Sequence, residues 1–202
     1  RFGKHKEDEA YARQLLKEGG ASGGPAGVLA QAGLDTLAGQ AAKARGVAAG
    51  LAQRSPNDLD AAVMLADIEL TMKSGAAAVA AWKKAVGIEK SARTLFGLAR
   101  AQAAADDAGD VKGAIESARA AVAASPKHAG ARLLIASLTW EQNGKETAAL
   151  AMLKEVLDQG KEEGDAAIID ANTLLGRIHL AKSRISAAEA AFAAALKIDP
   201  LW

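Results

Sequence analysis

Residues that could do acid–base or metal chemistry are few in this chain and lie far apart. The histidines are His5, His128 and His179, and there is no cysteine. The sequence contains no H-E-x-x-H metal motif, calcium loop, nucleophile elbow or dinucleotide fingerprint. The acidic pairs Asp106-Asp107 and Glu162-Glu163 lie in predicted turns, where solvated charge is the ordinary role. The sequence therefore predicts no catalytic residue, no metal site and no cofactor.

A glycine-rich stretch from Gly19 to Gly27 is the remaining candidate for chemistry. A phosphate-binding loop of the form G-x-x-x-x-G-K-[ST] needs a lysine and a hydroxyl residue directly after its final glycine. Here Pro25 and Ala26 follow Gly24, so the stretch has the composition of a linker instead. The segment from His5 to Glu18 is predicted to be a short charged helix. We therefore separate residues 1–24, a charged helix and its linker, from a domain at 25–202.

Composition and charge favour some classes of protein and disfavour others. Half of the residues are hydrophobic but only 3% are aromatic, and alanine, the strongest helix former, supplies much of the apolar content. This favours an all-helical protein with closely spaced helices. With 25 basic and 24 acidic residues, the net charge of +1 provides no field that would attract nucleic acid. Charged residues interrupt every candidate helix, so no membrane span is predicted.

Helical periodicity dominates from Pro25 onward, where apolar residues recur every three or four positions in segments of about 12 to 16 residues. Short breaks separate the segments, at Ser55-Pro56-Asn57, Ser74-Gly75, Gly109, Ser125-Pro126, Asn143-Gly144, Gly160 to Gly164 and Lys182-Ser183. No alternating strand pattern competes with them. The sequence predicts ten helices in five antiparallel pairs.

One spacing recurs through these segments. The chain ends with alanine, phenylalanine, alanine and proline at Ala188, Phe192, Ala195 and Pro200. Related residues stand at the same spacing in four earlier copies: Ala44, Ala48, Leu51 and Pro56; Ala78, Trp82 and Ala85; Ala114, Ala118, Ala121 and Pro126; and Ala149, Leu153 and Val156. The recurrence of this spacing in five copies along the chain indicates an internal repeat.

Upstream residues complete the unit. They are Leu175-Gly176 with His179, Ala136-Ser137 with Trp140, Phe96-Gly97 with Arg100, and Leu65-Ala66 with Glu69. The pattern resembles the tetratricopeptide repeat, a 34-residue helix-turn-helix unit with the pattern W-x2-L-G-x2-Y, then A-x3-F, then P. The resemblance implies an all-α fold, a right-handed superhelix of about five helix pairs, with approximate repeats at 25–58, 59–89, 90–129, 130–163 and 169–202.

The copies differ in how closely they match the repeat pattern. Gln31 and Ala32 stand where the first copy should have leucine and glycine, which makes its first helix uncertain. The small residue of each copy is expected to let the two helices of a pair approach closely. Trp82 and Trp140 occupy positions where the repeat packs large side chains, so we expect core residues rather than ligand-stacking ones. His179 stands where the family usually has tyrosine and is expected to be a core or half-buried substitute.

The resemblance implies a non-enzymatic protein-interaction module, because the first helices of such repeats form a concave face that commonly binds a peptide or a partner's helix. The lysines and asparagines that clamp a carboxylate in the best known groove of this kind are missing here. The expected groove residues are Val63, Met64, Asp67, Thr94, Leu95, Leu98, Leu134, Ile135, Leu138, Thr173 and Arg177.

Two alternatives stay open at this stage. Alanine-rich repeats of this type also resemble architectural scaffolds of bacterial envelope assemblies for pili, secretion or polysaccharide export, and the repeats could be an accessory domain of a larger enzyme. The first alternative favours a periplasmic or membrane-anchored bacterial protein over a cytoplasmic one, although composition leaves the compartment undetermined. The apolar stripe Leu95, Leu98, Leu134 and Leu138, rimmed by Glu141, Gln142 and Arg177, is either groove or core.

The two ends of the chain carry further expectations. The sequence begins at Arg1 without a signal peptide, so we expect a piece of a longer protein. No segment after Trp202 covers the last helix, whose residues Ala191, Ala195 and Ile198 are expected to be partly bare. We therefore expect further repeats, a capping helix, or self-association through the carboxy-terminal repeat.

Overall fold

The computed structural model describes residues 25–105, 110–159 and 164–200. Within those residues the regular structure is entirely helical and consists of ten helices, as expected. They are α1 (Pro25–Leu37), α2 (Ala41–Arg54), α3 (Leu59–Thr71), α4 (Gly75–Ile88), α5 (Ala92–Ala104), α6 (Val111–Ala124), α7 (Ala129–Asn143), α8 (Glu146–Asp158), α9 (Asp165–Ala181) and α10 (Ile185–Ile198). The predicted helix at 5–18, its linker, both acidic turn pairs and Trp202 lie outside the described residues.

Side-chain caps explain where several helices begin. The carboxylate of Asp58 accepts a hydrogen bond from the backbone N–H of Ala61 at 3.1 Å and starts α3. Ser91 and Thr94 form a reciprocal capping box at the start of α5. At the start of α7, His128 Nδ1 accepts from the N–H of Ala131 at 3.2 Å. The imidazole of His128 therefore has a structural role at a helix end.

The described residues form two compact units, which divide between residues 110 and 111. In the first, the amino-terminal unit, consecutive helices from α1 to α5 pack against each other. Trp82 of α4 is 2% exposed and lies in a core with Ala66 of α3 and Leu98 of α5. The side chain thus fills the seam between one helix pair and the next helix, as the repeat predicts.

The carboxy-terminal unit contains α6 to α10 and repeats this arrangement. Leu153 of α8 is fully buried in a core with Ala136 of α7 and Ile178 of α9. Trp140 of α7 packs against the same core and is half-buried. Both large side chains are therefore packing residues, as expected from their positions in the repeat.

Small residues allow close helix approach at two glycines. A Cβ added to Gly176 of α9 would collide with the Phe192 ring of α10, within one helix pair. A Cβ added to Gly97 of α5 would collide with the Trp82 ring of α4, which belongs to the preceding pair. The second contact differs from the expectation of an approach within one pair, because the tryptophan is wide enough to reach the next helix.

The first repeat forms its first helix despite the poor match. Ala32 of α1 is 1% exposed, so it serves as the small residue of this copy. The nearby buried carboxylate of Asp35 accepts a hydrogen bond from Gln31 at 2.9 Å and pairs with Lys43 of α2 at 3.0 Å. Gln31 therefore has a structural role within α1, because it donates a hydrogen bond to a buried carboxylate.

The turns inside four helix pairs share one backbone feature. A residue with positive φ stands seven positions after the small residue of the repeat, at Gly39, Lys73, Gly144 and Ser183. Glycine adopts this left-handed region without strain, whereas lysine and serine do so at a cost. The repeat therefore imposes the same turn even where the sequence lacks glycine.

The last helix differs from expectation. Ala191 and Ala195 of α10 are 5% and 1% exposed, because that face packs against α9. The prediction that they are partly bare is wrong, and Ile198 is half-buried. The large apolar side chains of α10 that are exposed are instead Ile185 and Leu196. Self-association through this end stays a prediction.

Candidate functional site in the amino-terminal unit

A hollow of about 260 Å³ lies along the first helices of the amino-terminal unit. Helix α1 contributes Ala26 and Leu29, α3 contributes Asp60, Val63, Met64 and Asp67, and α5 contributes Arg93. Three of the predicted groove residues, Val63, Met64 and Asp67, thus line one concave surface. The hollow is therefore the candidate site.

The floor of the hollow is apolar. Leu29 and Val63 are 8% and 3% exposed and so form a packed wall. Met64 is half-buried and packs against the cores that α1, α2 and α3 build. Its unbranched thioether side chain can adjust to an irregular surface. The accessible apolar contact in the hollow is therefore centred on Met64.

Charged residues at the rim pair across the helices. Asp60 of α3 lies 3.7 Å from Arg93 of α5, and Asp67 lies 3.8 Å from Arg100 of α5. All four side chains are about half-exposed or more. Both distances exceed those of a direct charge-assisted hydrogen bond, so these are loose ion pairs.

Asp67 is the perturbed carboxylate of the site. Burial raises the pKa of its carboxyl above the ordinary value, although the guanidinium groups of Arg100 and Arg93 act to lower it. Among the described residues its side chain accepts no hydrogen bond. The effect of desolvation on the pKa of Asp67 is therefore larger than that of attraction to the two arginines.

The predicted residues of α5 lie mostly inside the protein. Thr94 is fully buried and its hydroxyl donates a hydrogen bond to the carbonyl of Glu89 at 2.7 Å. Leu95 and Leu98 are 6% and 8% exposed, and Leu98 belongs to the core around Trp82. Their role in binding a partner stays a prediction.

The predicted residues of the carboxy-terminal unit divide by exposure. Ile135 and Leu138 of α7 are buried, and Leu134 is half-buried. The hydroxyl of Thr173 on α9 is buried and has no hydrogen-bond partner among the described residues. Arg177 is exposed and donates to Glu141 of α7 at 3.2 Å. The side chain of Gln142, the third predicted rim residue, lies outside the described ones.

Sequence reasoning missed Ala26, Leu29, Asp60 and Arg93. Two of them had a detectable signal. Asp60 lies three to four residues before Val63 and Met64, which places it on the same helix face. Leu29 lies three residues before the small residue Ala32, as Val63 lies three before Ala66. Applying the repeat register to the first copy finds Leu29, whereas nothing in that register points to Arg93.

Metal sites and membrane-spanning helices are the other features that the described part of the chain could contain. Among residues 25–105, 110–159 and 164–200, no group of three or more histidines and acids could hold a metal ion. His179 is half-buried, and its Nδ1 has no hydrogen-bond partner in that part of the chain. None of the helices described above has the length and apolar content needed to cross a bilayer.

Solved structures with the same fold support this architecture. The chain is similar to TTC0263, a thermophilic TPR protein in Thermus thermophilus, with a TM-score of 0.72 and 21% identity over 86% of this chain and 91% of that one. It is also similar to PilW, a widely conserved type IV pilus biogenesis factor, with a TM-score of 0.71 and 16% identity over 87% and 77% of the two chains. A third similar structure is YrrB, a TPR protein with an unusual peptide-binding site, with a TM-score of 0.56 and 14% identity over 94% and 93%.

Sequence comparison adds no relative: no protein-family model and no curated protein matches the chain. The class of the chain is therefore assigned from its structure, which agrees with the repeated Ala188, Phe192, Ala195 and Pro200 pattern. The chain is a helical repeat protein with the tetratricopeptide-repeat fold.

Proposed function

We propose that this chain is a non-enzymatic protein-interaction module whose hollow in the amino-terminal unit binds a segment of a partner protein. The observation that supports it is the hollow itself, an open concavity of about 260 Å³ with an apolar floor and a charged rim. Grooves with such a floor and rim suit an extended peptide or one face of a helix.

The accessibility of Met64 supports this choice over the predicted stripe on α5 and α7. Met64 is half-buried and lines the hollow, whereas three of the four stripe residues, Leu95, Leu98 and Leu138, are covered by their neighbours. Leu134 is half-buried like Met64, but it does not line the hollow. A partner can only gain energy from apolar area that is still exposed to water. The hollow is therefore a better binding surface than the leucine stripe.

A second candidate function is an architectural role in a bacterial envelope assembly, with a periplasmic or membrane-anchored location. The similarity to PilW, a type IV pilus biogenesis factor, favours it at the level of the fold. The two functions are compatible, because a scaffold also binds its partners through surfaces of this kind. We expect no catalytic turnover from the 202-residue chain in hydrolase and transferase assays, and the accessory-domain alternative predicts the same result.

Site-specific photo-crosslinking in the native organism tests the proposal. A benzophenone amino acid replaces Met64 in the hollow, and a matched variant carries it at Lys83, an exposed position on α4. We expect a discrete crosslinked adduct from position 64 and none from position 83, with mass spectrometry identifying the partner segment. Equal adducts at both positions, or none at 64, would exclude the hollow as the binding surface.

A further inference from the structure

We infer that the hollow selects a partner segment in which a lysine or arginine adjoins a large apolar side chain. The inference rests on the proposed function and adds the chemistry of the occupant. Its basis is the placement of two carboxylates, Asp60 and Asp67, on either side of Met64 in a hollow to which α5 contributes Arg93.

The two carboxylates share one face of α3. They are seven residues apart, so two helical turns separate them by about 10 Å along the axis. Met64 stands between them, four residues after Asp60 and three before Asp67. Neither carboxylate accepts a hydrogen bond from the described residues, and their ion contacts are Arg93 at 3.7 Å and Arg100 at 3.8 Å. Each therefore has free acceptor capacity for a donor from outside.

The arginines that face these carboxylates are held loosely. The side chain of Arg93 is 63% exposed and that of Arg100 is 47% exposed. The guanidinium of Arg100 also lies over the ring of Phe96, 5.9 Å from its centroid, so its charge has a second favourable site. Exposed ion pairs are weak because water screens both charges. A partner cation can therefore replace them with little loss.

The charges of the lining favour a basic occupant. Two carboxylates and one guanidinium line the hollow itself, and Arg100 pairs with Asp67 from outside this lining while its guanidinium also lies over the Phe96 ring. The lining that an occupant meets therefore contains more acidic than basic groups. A carboxylate from a partner would approach Asp60 and Asp67 with like charge, which opposes binding. An ammonium or guanidinium would instead supply donors to Asp67, which is partly desolvated and lacks them.

The apolar floor of the hollow determines which residue of the partner adjoins its lysine or arginine. Met64 offers a polarizable contact directly between the carboxylates, and the packed Leu29 and Val63 lie beside it. The stem of a lysine or arginine can lie along such a surface while its charged end reaches a carboxylate. An adjoining leucine, methionine or phenylalanine would bury the rest of the exposed thioether. Charge and apolar contact are thus required together.

Selection from a random twelve-residue peptide library, displayed on phage, tests this specificity with the 202-residue chain as target. We expect enrichment of lysine or arginine next to a large apolar residue. The best peptide, measured by fluorescence anisotropy, should bind at least about tenfold more weakly to the Asp60→Asn/Asp67→Asn variant, a loss of about 1.4 kcal/mol. Its affinity for the parent chain should also fall with added salt.

A matched control keeps the charge change but moves it away from the hollow. The Glu155→Gln/Asp158→Asn variant removes two exposed carboxylates from α8, and we expect affinity within about twofold of the parent. Circular dichroism establishes that each variant is folded. Equal weakening by both double variants would mean that the peptide responds to net charge alone, which overturns the inference.

The remaining outcomes separate this inference from the proposed function. Acidic peptides, peptides without charge preference, or affinity unchanged in Asp60→Asn/Asp67→Asn overturn the inference alone, as does a position-64 adduct with a segment that lacks a basic residue. Failure of Met64→Lys to weaken any selected peptide, or a selection that enriches no peptide, contradicts both. A dimer in sedimentation that Met64→Lys dissociates would identify a second copy as the occupant and overturn the inference.

Discussion

The guanidinium of Arg45 on α2 binds the carboxylate of Glu69 on α3, with Nε and Oε1 2.5 Å apart. Glu69 is 4% exposed and stands where the repeat usually has tyrosine. The seam between the first two helix pairs therefore contains a buried acid whose charge is balanced by an arginine that is half-exposed. A buried, charged carboxylate is tolerated in the folded chain only while its ion-pair partner is present.

Removal of that partner should destabilise the amino-terminal unit. We expect Arg45→Met to lower the free energy of unfolding by about 1–3 kcal/mol, because Glu69 is left buried and unpaired. In a Glu69→Gln background the same substitution should cost much less. Urea unfolding of the parent, both single variants and the double variant measures the coupling. Equal costs in the two backgrounds would show that the pair contributes no stability.

The contact between Gly97 and Trp82 predicts an unusual sensitivity to one methyl group. Gly97→Ala should destabilise the chain by about 1–3 kcal/mol, because a Cβ there collides with the buried ring. Gly87→Ala is the control: nothing lies near its added Cβ, and we expect a gain of about 0.5–1 kcal/mol from helix propensity. Thermal melting followed by circular dichroism compares them, and similar effects of the two substitutions would contradict this packing.

The turn at Ser183 should become more stable with glycine. Ser183 has φ of 57°, and its N–H donates to the carbonyl of Leu180 at 2.9 Å. Ser183→Gly keeps that hydrogen bond and removes the strain, for a gain of about 1 kcal/mol in the free energy of unfolding. Lys182→Gly, at an adjacent residue with φ of −100°, should give no gain. Urea midpoints measure both, and a loss of stability in Ser183→Gly would refute the argument.

Asp67 should make stability depend on pH. Burial raises its pKa in the folded chain, so its contribution to stability is fully present below the unfolded pKa and is lost as the pH rises through the raised folded value. Asp67→Asn should therefore be the more stable protein at neutral pH, by less than about 1 kcal/mol because the side chain is half-exposed. The difference should shrink as the pH falls. Urea unfolding between neutral and acidic pH measures it; a variant less stable than the parent at neutral pH would mean that the arginines outweigh burial.

The two leucines of α7 should respond differently to a charge. Leu138 is 7% exposed and Leu134 is half-buried. Leu138→Glu should cost several kcal/mol, because an unpaired carboxylate is buried, whereas Leu134→Glu can turn its charge toward water and should cost clearly less. Thermal melting compares the two variants. Equal losses would mean that Leu134 is core as well.

Much of the fold was predictable because its signals are local. Apolar periodicity, the break residues and the recurrence of Ala188 and Phe192 located the helices, since each helix is defined by residues within a few turns of one another. The same register predicted that Gly176 must be small, and the structure confirms it by placing Phe192 against it. The first helix was the weakest prediction, because Gln31 and Ala32 replace the leucine and glycine that the repeat pattern expects there.

The candidate site was predicted less completely. Val63, Met64 and Asp67 were found from their helix face, but Arg93 was not, because its contact with Asp60 joins two helices that are distant in the sequence. Burial of Leu95, Leu98 and Leu138 could not be inferred from their spacing either, because an apolar stripe looks the same whether a neighbouring helix covers it or not.

The sequence by itself determined that this chain is a helical repeat, where its helices begin and end, and which positions must be small, because these depend on backbone propensity and a short period. Only the tertiary structure decided which face stays open, that Arg45 balances Glu69, and that Met64 lies partly exposed between two carboxylates. The physical reason is that exposure and charge pairing depend on which helices become neighbours, and that is set by packing across the repeats rather than by any one helix.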